Sequence, residues 1–375
     1  MLKSSLYFIL AFCLMILSAK SQITDVPKSN IYDFVKAKAL KKERAYDTVY
    51  INKLKANAYF NEEISSTVFL SKASFYVNKR WMTKADIPDR YPYVLDAIVS
   101  PYFRISSDRW NIGWGEGNLM LSLYFNPDFE VRIFENQASL GDASHPVRTA
   151  SFRPGGELFV RYNNPNSLRK THFAFSLKGN HHSDGQDGEE FNSVDRPWGK
   201  KGYANTYNGD FSDDFLLGFN AMAFRRTTNH NLFAKLGFST STGTSEGLKT
   251  YKVYGTRRIN LLSSWAWIPN YEMSIKGAKL DTFKIEKTRV EFYVSYITNR
   301  MNVGSIYNLQ RAKFSDRINF HATLHFRIRG FSAAGLFLEG GYYGQDLYNI
   351  YYQQSSWFAK LGISFGLFKY SYPKL

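Results

Sequence analysis

The sequence predicts an all-β chain: a transmembrane antiparallel β-barrel of about twelve strands, preceded by an N-terminal extension. Three observations predict it. The chain is rich in aromatic residues, at 17% with 26 Tyr and 31 Phe, yet its mean hydropathy is only −0.35. It opens with a basic start, a short apolar run and small residues near Ala19. That opening reads as a secretory signal peptide over 1–21, because the apolar run is too short to span a bilayer. From about residue 94 apolar and polar residues alternate in runs of about ten residues or more. Strands that cross a membrane obliquely need that length, with one face toward lipid and the other toward a polar lumen.

Residues 22–90 differ from the rest and read as an extension on the periplasmic side. Within it, 33–42 looks like a short polar helix or an unstructured segment, and 47–53 and 67–77 suit short strands. The barrel is expected over 91–375. Leu119, Leu121, Leu123 and Phe125 share one face of a strand, because side chains two apart point the same way. Ile259, Leu261, Trp265 and Trp267 do the same, as do Val290, Phe292, Val294 and Tyr296. The clearest alternation runs from Arg317 to Arg329. Ile318, Phe320, Ala322, Leu324, Phe326 and Ile328 face one way, and His321 and His325 lie on the polar face as lumen-lining residues. The linkers at 163–167 and 239–247 are rich in Gly, Asn, Ser and Thr, as turns should be.

Charge and cysteine usage narrow the functional classes. The net charge is +16, but Lys and Arg are spread through strands and loops rather than gathered in one patch. A nucleic-acid binder is therefore disfavoured, and contact with anionic lipid head groups fits better. The only cysteine, Cys13, lies in the signal-like run. The mature chain then has neither a disulfide framework nor a cysteine metal site.

One stretch carries candidate chemistry. The strand beginning at Thr171 runs into Gly179-Asn-His-His-Ser-Asp-Gly-Gln186. Parity puts Phe173, Phe175, Leu177, Gly179, His181 and Ser183 on one face. A histidine able to deprotonate a serine hydroxyl is the minimum for nucleophilic acyl chemistry. A polar strand end entering a loop gives the same short pattern, so context decides. The loop that follows, about 184–212, is the longest interruption and the most acidic local run. In the next strand Asp213 shares a face with Phe215, Leu217 and Phe219. A carboxylate on a lipid-facing wall is costly unless it has a partner. Asp213 therefore suits the acid member of a Ser-His-Asp arrangement, with Asp214 the alternative if a bulge shifts the register.

Three blocks resemble the outer-membrane phospholipase A family, in family order over about two-thirds of the chain. His145-Pro-Val-Arg-Thr-Ala-Ser-Phe-Arg-Pro154 is similar to the family's Pro-Phe-Arg-Glu-Thr-x-Tyr-x-Pro segment. Gly179 to Gln186 is similar to its Asn-His-x-Ser-Asn-Gly-Arg signature. Tyr343 to Ile363 is similar to its closing Gly-Tyr-Gly-Glu-Ser-Leu-x-Asp-Tyr-Asn segment and final strand. The resemblance implies a barrel with its active site on the outer wall, Ser183 as nucleophile and His181 as general base. It also implies calcium supporting the oxyanion together with backbone N–H groups of 184–186, and a homodimer that completes the site. Gln186, through its carbonyl, and Asp195 match calcium ligands. Gln186 replaces a family arginine, and the spacing to Asp195 is longer. The family's third catalytic residue is an asparagine, and Gly199 occupies that position here. Glycine cannot orient an imidazole, which turns attention to Asp213 and Asp214, with Asn205 and Asn208 as weaker candidates.

Two functions follow. One is a calcium-assisted phospholipase of a bacterial outer membrane, acting on phospholipid acyl esters. The other is a catalytically inactive barrel that serves as a pore or a structural outer-membrane protein.

Overall fold

The computed structural model describes residues 71–77, 93–105, 111–114, 117–134, 150–163, 171–185, 188–195, 200–205, 210–227, 229–243, 246–275, 278–328, 334–344, 355–365 and 369–371. All belong to one compact unit, Tyr59–Leu375. The signal-like segment and the extension up to residue 70 lie outside the described residues, as do Gln186, Gly199 and Asn208.

Twelve antiparallel strands close a barrel. They are β1 Ser71–Tyr76, β2 Tyr93–Val99, β3 Gly117–Phe134, β4 Ser151–Asn163, β5 Thr171–Gly185 and β6 Asp210–Arg226. They continue with β7 His230–Thr242, β8 Arg257–Trp267, β9 Thr288–Ile297, β10 Ile318–Arg327, β11 Ala334–Tyr343 and β12 Ser356–Phe365. From β2 to β12 each strand pairs with the next, and β1 pairs with both β2 and β12 to shut the ring. Ser71 lies opposite Phe365, and Lys72 opposite both Ser364 and Ile98. The barrel thus takes its first stave from the segment assigned by sequence to the extension. This stave has 6 residues and β2 has 7, shorter than the alternation elsewhere leads one to expect. The 18-residue β3 makes up the difference, since Phe103–Arg104 and Asn111–Trp114 pair along its lower half.

Alternation sorts the side chains into a wall and a filling. Phe175, Leu177, Phe215, Leu217, Phe219, Leu236, Phe238, Leu261, Phe292, Leu338 and Leu361 are exposed on the outside. No helix among the described residues is long and apolar enough to cross a membrane. An exposed apolar wall on every side of a closed sheet suits lipid and not water. The change Leu236→Arg is expected to lower barrel stability by about 2–4 kcal/mol near the middle of the bilayer. The unfolding midpoint in urea, measured in lipid vesicles, reads this.

Among the described residues, many inward-facing side chains are buried. Lys360 Nζ sits 2.6 Å from Glu339 Oε1 and 2.9 Å from Asp96 Oδ2. Lys72 Nζ sits 3.2 Å from Glu339 Oε2 and 3.4 Å from Glu291 Oε2. His325 joins this network through Nε2 to Glu291 and through Nδ1 to the Ser364 hydroxyl, as a lumen-lining residue. His321, the other histidine of that strand, stacks on Tyr293. Buried charges persist where each finds an opposite charge and a hydrogen bond. A second filling is apolar: Tyr124, Phe159, Ala174, Met222, Phe224 and Phe233, with Tyr102 against them. The Tyr102 hydroxyl donates to Glu157 at 2.8 Å, which draws the 100–102 segment inward.

A cap forms at the end where β5 leaves and β6 enters. Segments 188–195 and 200–205 double back on each other: Asn192 N–H donates to Tyr203 O, and Asn205 N–H to Glu190 O. A short helix, α1 Glu246–Tyr251, and the hairpin of Asn302–Ser305 with Asn308–Arg311 pack beside them. Ala204, Leu248, Val253 and Tyr254 make the cap's small core, with Phe191, Tyr251 and Leu309 at its edge. Gly202 takes φ +79, where a side chain is strained and a Cβ would meet the Tyr307 ring.

Candidate active site on the outer wall

The site grows out of the β5–β6 pair. Phe173, Phe175 and Leu177 stand exposed on β5, and His181 and Ser183 follow on the same face near the capped end. On β6, Phe219, Leu217 and Phe215 lead up to Asp213 on that face. Ser183 lies opposite Asp213, and His181 opposite Phe215. Phe152 of β4, half-exposed, is the partner of Ser183 on the other side. Three polar groups therefore sit in a frame of lipid-facing aromatics.

His181 Nε2 lies 2.7 Å from Asp213 Oδ1. The side chains are 52% and 80% exposed, so the pair is on the outer surface and not in the lumen. With Nε2 engaged by the carboxylate, Nδ1 is the nitrogen left to take a proton. Ser183 stands one place further along the face and is partly exposed. Neighbours on one strand face have Cα atoms about 6.6 Å apart. His181 bonds Asp213 and not Ser183 in this conformation, among the described residues. Hydrogen bonds of catalytic groups commonly tighten only when substrate binds.

Asp214 has a different place. The register shift in this ladder falls between Asp184 and Gly185, beyond the site, so residues 213 and 214 keep their alternation. Asp214 is turned inward and buried, with Oδ1 2.9 Å from Nδ1 of His182. It faces away from His181 because adjacent strand residues point to opposite faces. Nε2 of His182 lies 3.1 Å from Oγ of Ser151, and the Tyr254 hydroxyl lies 3.4 Å from Asp214 Oδ2. Sequence reasoning passed over His182, Ser151 and Tyr254. The parity that sends His181 outward does send His182 inward, so half of this group was readable. Ser151 and Tyr254 required loop paths that spacing alone does not give.

The two expected calcium ligands are not brought together by what is described. Gln186 lies outside the described residues. Asp195 is exposed, and its Oδ1 accepts from the backbone N–H of Lys201 at 2.9 Å, closing its own loop. Among the described residues no group of three or more His, Cys, Asp or Glu is placed to hold a metal ion. Asn205 is buried in the cap, donating to Glu189 O at 2.9 Å.

Fold and surface together define a transmembrane β-barrel that carries an ionisable pair on its apolar exterior. No protein-family model matches the chain, and no curated protein does. Among solved structures it is similar to the outer membrane phospholipase A from Escherichia coli, at 10% identity and a TM-score of 0.42, over 80% of this chain and 90% of that one. It is similar to the outer membrane phospholipase (OMPLA) dimer of Salmonella typhi with bound calcium, at 11% identity and 0.41, over 80% and 91%. The β domain of the Bordetella autotransporter BrkA matches at 9% identity and 0.30, over 81% and 96%. At such identities and scores these likenesses carry no argument about chemistry, and the site rests on its own geometry.

Proposed function

We propose that the protein is a phospholipase of a bacterial outer membrane, hydrolysing phospholipid acyl esters on the outside of its barrel. The observation that carries this reading is the His181–Asp213 pair at 2.7 Å, beside Ser183 on an otherwise apolar wall. A charged or polar group facing lipid is costly, and such groups mark function. The connections at the capped end, 186–209, 243–256 and 298–317, are long. Those at the opposite end are short, apart from the one that holds the hairpin of Asn270–Ile275 with Ala278–Ile285. This suits a barrel whose capped end points away from the cell, because short turns lie on the periplasmic side. The site then sits at the level of the outer leaflet.

In this reading Ser183 Oγ attacks the ester carbonyl while His181 Nδ1 takes its proton. The Asp213 carboxylate stabilises the imidazolium that forms. The tetrahedral intermediate collapses, the C–O bond breaks, and His181 returns the proton to the departing lysolipid alcohol. Water, deprotonated by His181, then releases the fatty acid from the serine. The ladder interruption between Asp184 and Gly185 places irregular backbone one residue past the nucleophile, where N–H groups can meet the oxyanion. Phe152, Phe215 and Leu217 offer the acyl chain an apolar track. Calcium support and a homodimer belong to the proposal through the resemblance of the sequence blocks. The pore reading gains nothing from the lumen, which the described residues fill with paired charges and aromatics.

The experiment is a fluorophosphonate probe on the purified protein in detergent, with the adduct mapped by mass spectrometry. Fatty-acid release is followed in parallel, with added calcium and with chelator. An adduct on Ser183 with fatty-acid release is the expected result. A protein that stays unlabelled and inert in both conditions sinks the reading. Equal rates with calcium and with chelator remove the metal alone.

A further inference from the structure

Behind the outer site lies a second hydrogen-bonded chain that the reaction above does not use: Ser151 Oγ, His182 and Asp214, at 3.1 Å and 2.9 Å. All three residues are buried. Each adjoins a residue of the outer site along the backbone. His182 lies between His181 and Ser183, Asp214 follows Asp213, and Ser151 precedes Phe152, the strand partner of Ser183. The inner chain and the outer site are two faces of one patch.

The sheet is interrupted at that patch. The β4–β5 ladder pairs Phe152 with Ser183 and resumes only at Gly155 with Asn180. Pro154 falls in the gap and has no N–H to donate. On the other side the β5–β6 ladder is irregular just past Ser183. The strand segment bearing His181 therefore lacks ladder pairs for two positions on its β4 flank, while on its β6 flank it stays paired through Asp184. Side chains take over. Asn180 Nδ2 donates to Arg153 O at 2.6 Å, and His182 ties β4 to β6 through Ser151 and Asp214. Gly155 permits the close approach, since a Cβ there would strike Gly179 O and Asn180.

We propose that His182 is a positioning residue for the outer-wall reaction: by bridging Ser151 and Asp214 it fixes the mutual placement of Ser183, His181 and Asp213. This rests on the phospholipase reading. Ring nitrogens accept a proton from a serine only across a narrow range of distance, and a displacement of about 1 Å costs about 10²-fold in rate. The inner chain supplies the rigidity that the interrupted ladder lacks. It also reaches the cap, because the Tyr254 hydroxyl lies 3.4 Å from Asp214 Oδ2.

The test uses the full chain in detergent micelles, comparing native protein with His182→Ala, His182→Gln and Ser151→Ala. Folding is read from the mobility difference between unheated and boiled samples on a gel. In folded His182→Ala, kcat is expected to fall about 10²-fold with KM nearly unchanged, and fluorophosphonate labelling of Ser183 to slow in parallel. Glutamine keeps a donor and an acceptor and is expected to recover about tenfold of that loss. If His182→Ala does not fold, Ser151→Ala removes one bond only and is expected to lower kcat about tenfold in a folded barrel. Native kcat in folded His182→Ala, or in folded Ser151→Ala, overturns the proposal. So does a loss that glutamine fails to recover, or an adduct found on Ser151, which makes the inner serine a nucleophile in its own right. Failure of the phospholipase reading looks different: the native protein itself is then inert and Ser183 unlabelled, and the proposal goes with it.

Discussion

Ser183→Ala is expected to lower phospholipid hydrolysis by about 10⁴-fold or more, with the barrel intact. The hydroxyl forms the acyl intermediate in the proposed reaction, so its loss removes the step and not merely a contact. Loss of a serine nucleophile elsewhere costs up to about 10⁶-fold, with a residue of activity from binding and the oxyanion site. The side chain is small and partly exposed, so alanine leaves no strained cavity. Initial rates of fatty-acid release from mixed micelles check the result, alongside the gel mobility of the folded form. A folded Ser183→Ala protein that keeps within tenfold of native activity defeats the assignment.

Asp213→Asn is expected to lower kcat by about 10³-fold. The carboxylate now accepts from His181 Nε2–H, which leaves Nδ1 as the base. An amide can present its N–H to Nε2 instead, and this favours the tautomer with the proton on Nδ1. The base is then blocked. A triad aspartate replaced in this way loses about 10⁴-fold in a buried site. The smaller figure here reflects an 80% exposed carboxylate that protein does not enclose on all sides. Asp214→Asn separates the two aspartates. It leaves His181 and Asp213 in contact and acts on the inner chain alone. Equal kcat in native protein and Asp213→Asn, measured on one lipid, contradicts the outer triad.

The barrel was legible because its surface obeys a period of two without exception over long stretches. Ile318 to Arg327 became β10 with the faces the alternation gives, and His325 came to line the lumen beside Glu291. Parity also placed His181, Ser183 and Asp213 on one face, and the register between β5 and β6 joins two of them. Ser71–Tyr76 escaped because six residues give too little alternation to tell a barrel stave from a loose strand. The inner Ser151–His182–Asp214 chain escaped for another reason. It joins three strands across two connections, and strand offsets are set by Pro154, Gly155 and the register shift at Asp184, which act locally and leave no periodic mark. Metal binding was not derivable from spacing, since oxygen ligands from a loop depend on its path.

Lys72 on the first stave and Lys360 on the last share the carboxylates of Glu339, and Lys360 also holds Asp96 on the second. Lys72 and Glu339, and likewise Lys360 and Asp96, are separated by most of the chain; Lys72 is part-buried and the others are buried. A nascent polypeptide therefore carries Lys72 and Asp96 long before Lys360 has been synthesised. Their charges must stay hydrated until the ring zips shut, so hydrophobic collapse of the early staves alone yields no stable intermediate. Biogenesis of this molecule is in that sense all-or-nothing, with the carboxy-terminal stave acting as the clasp.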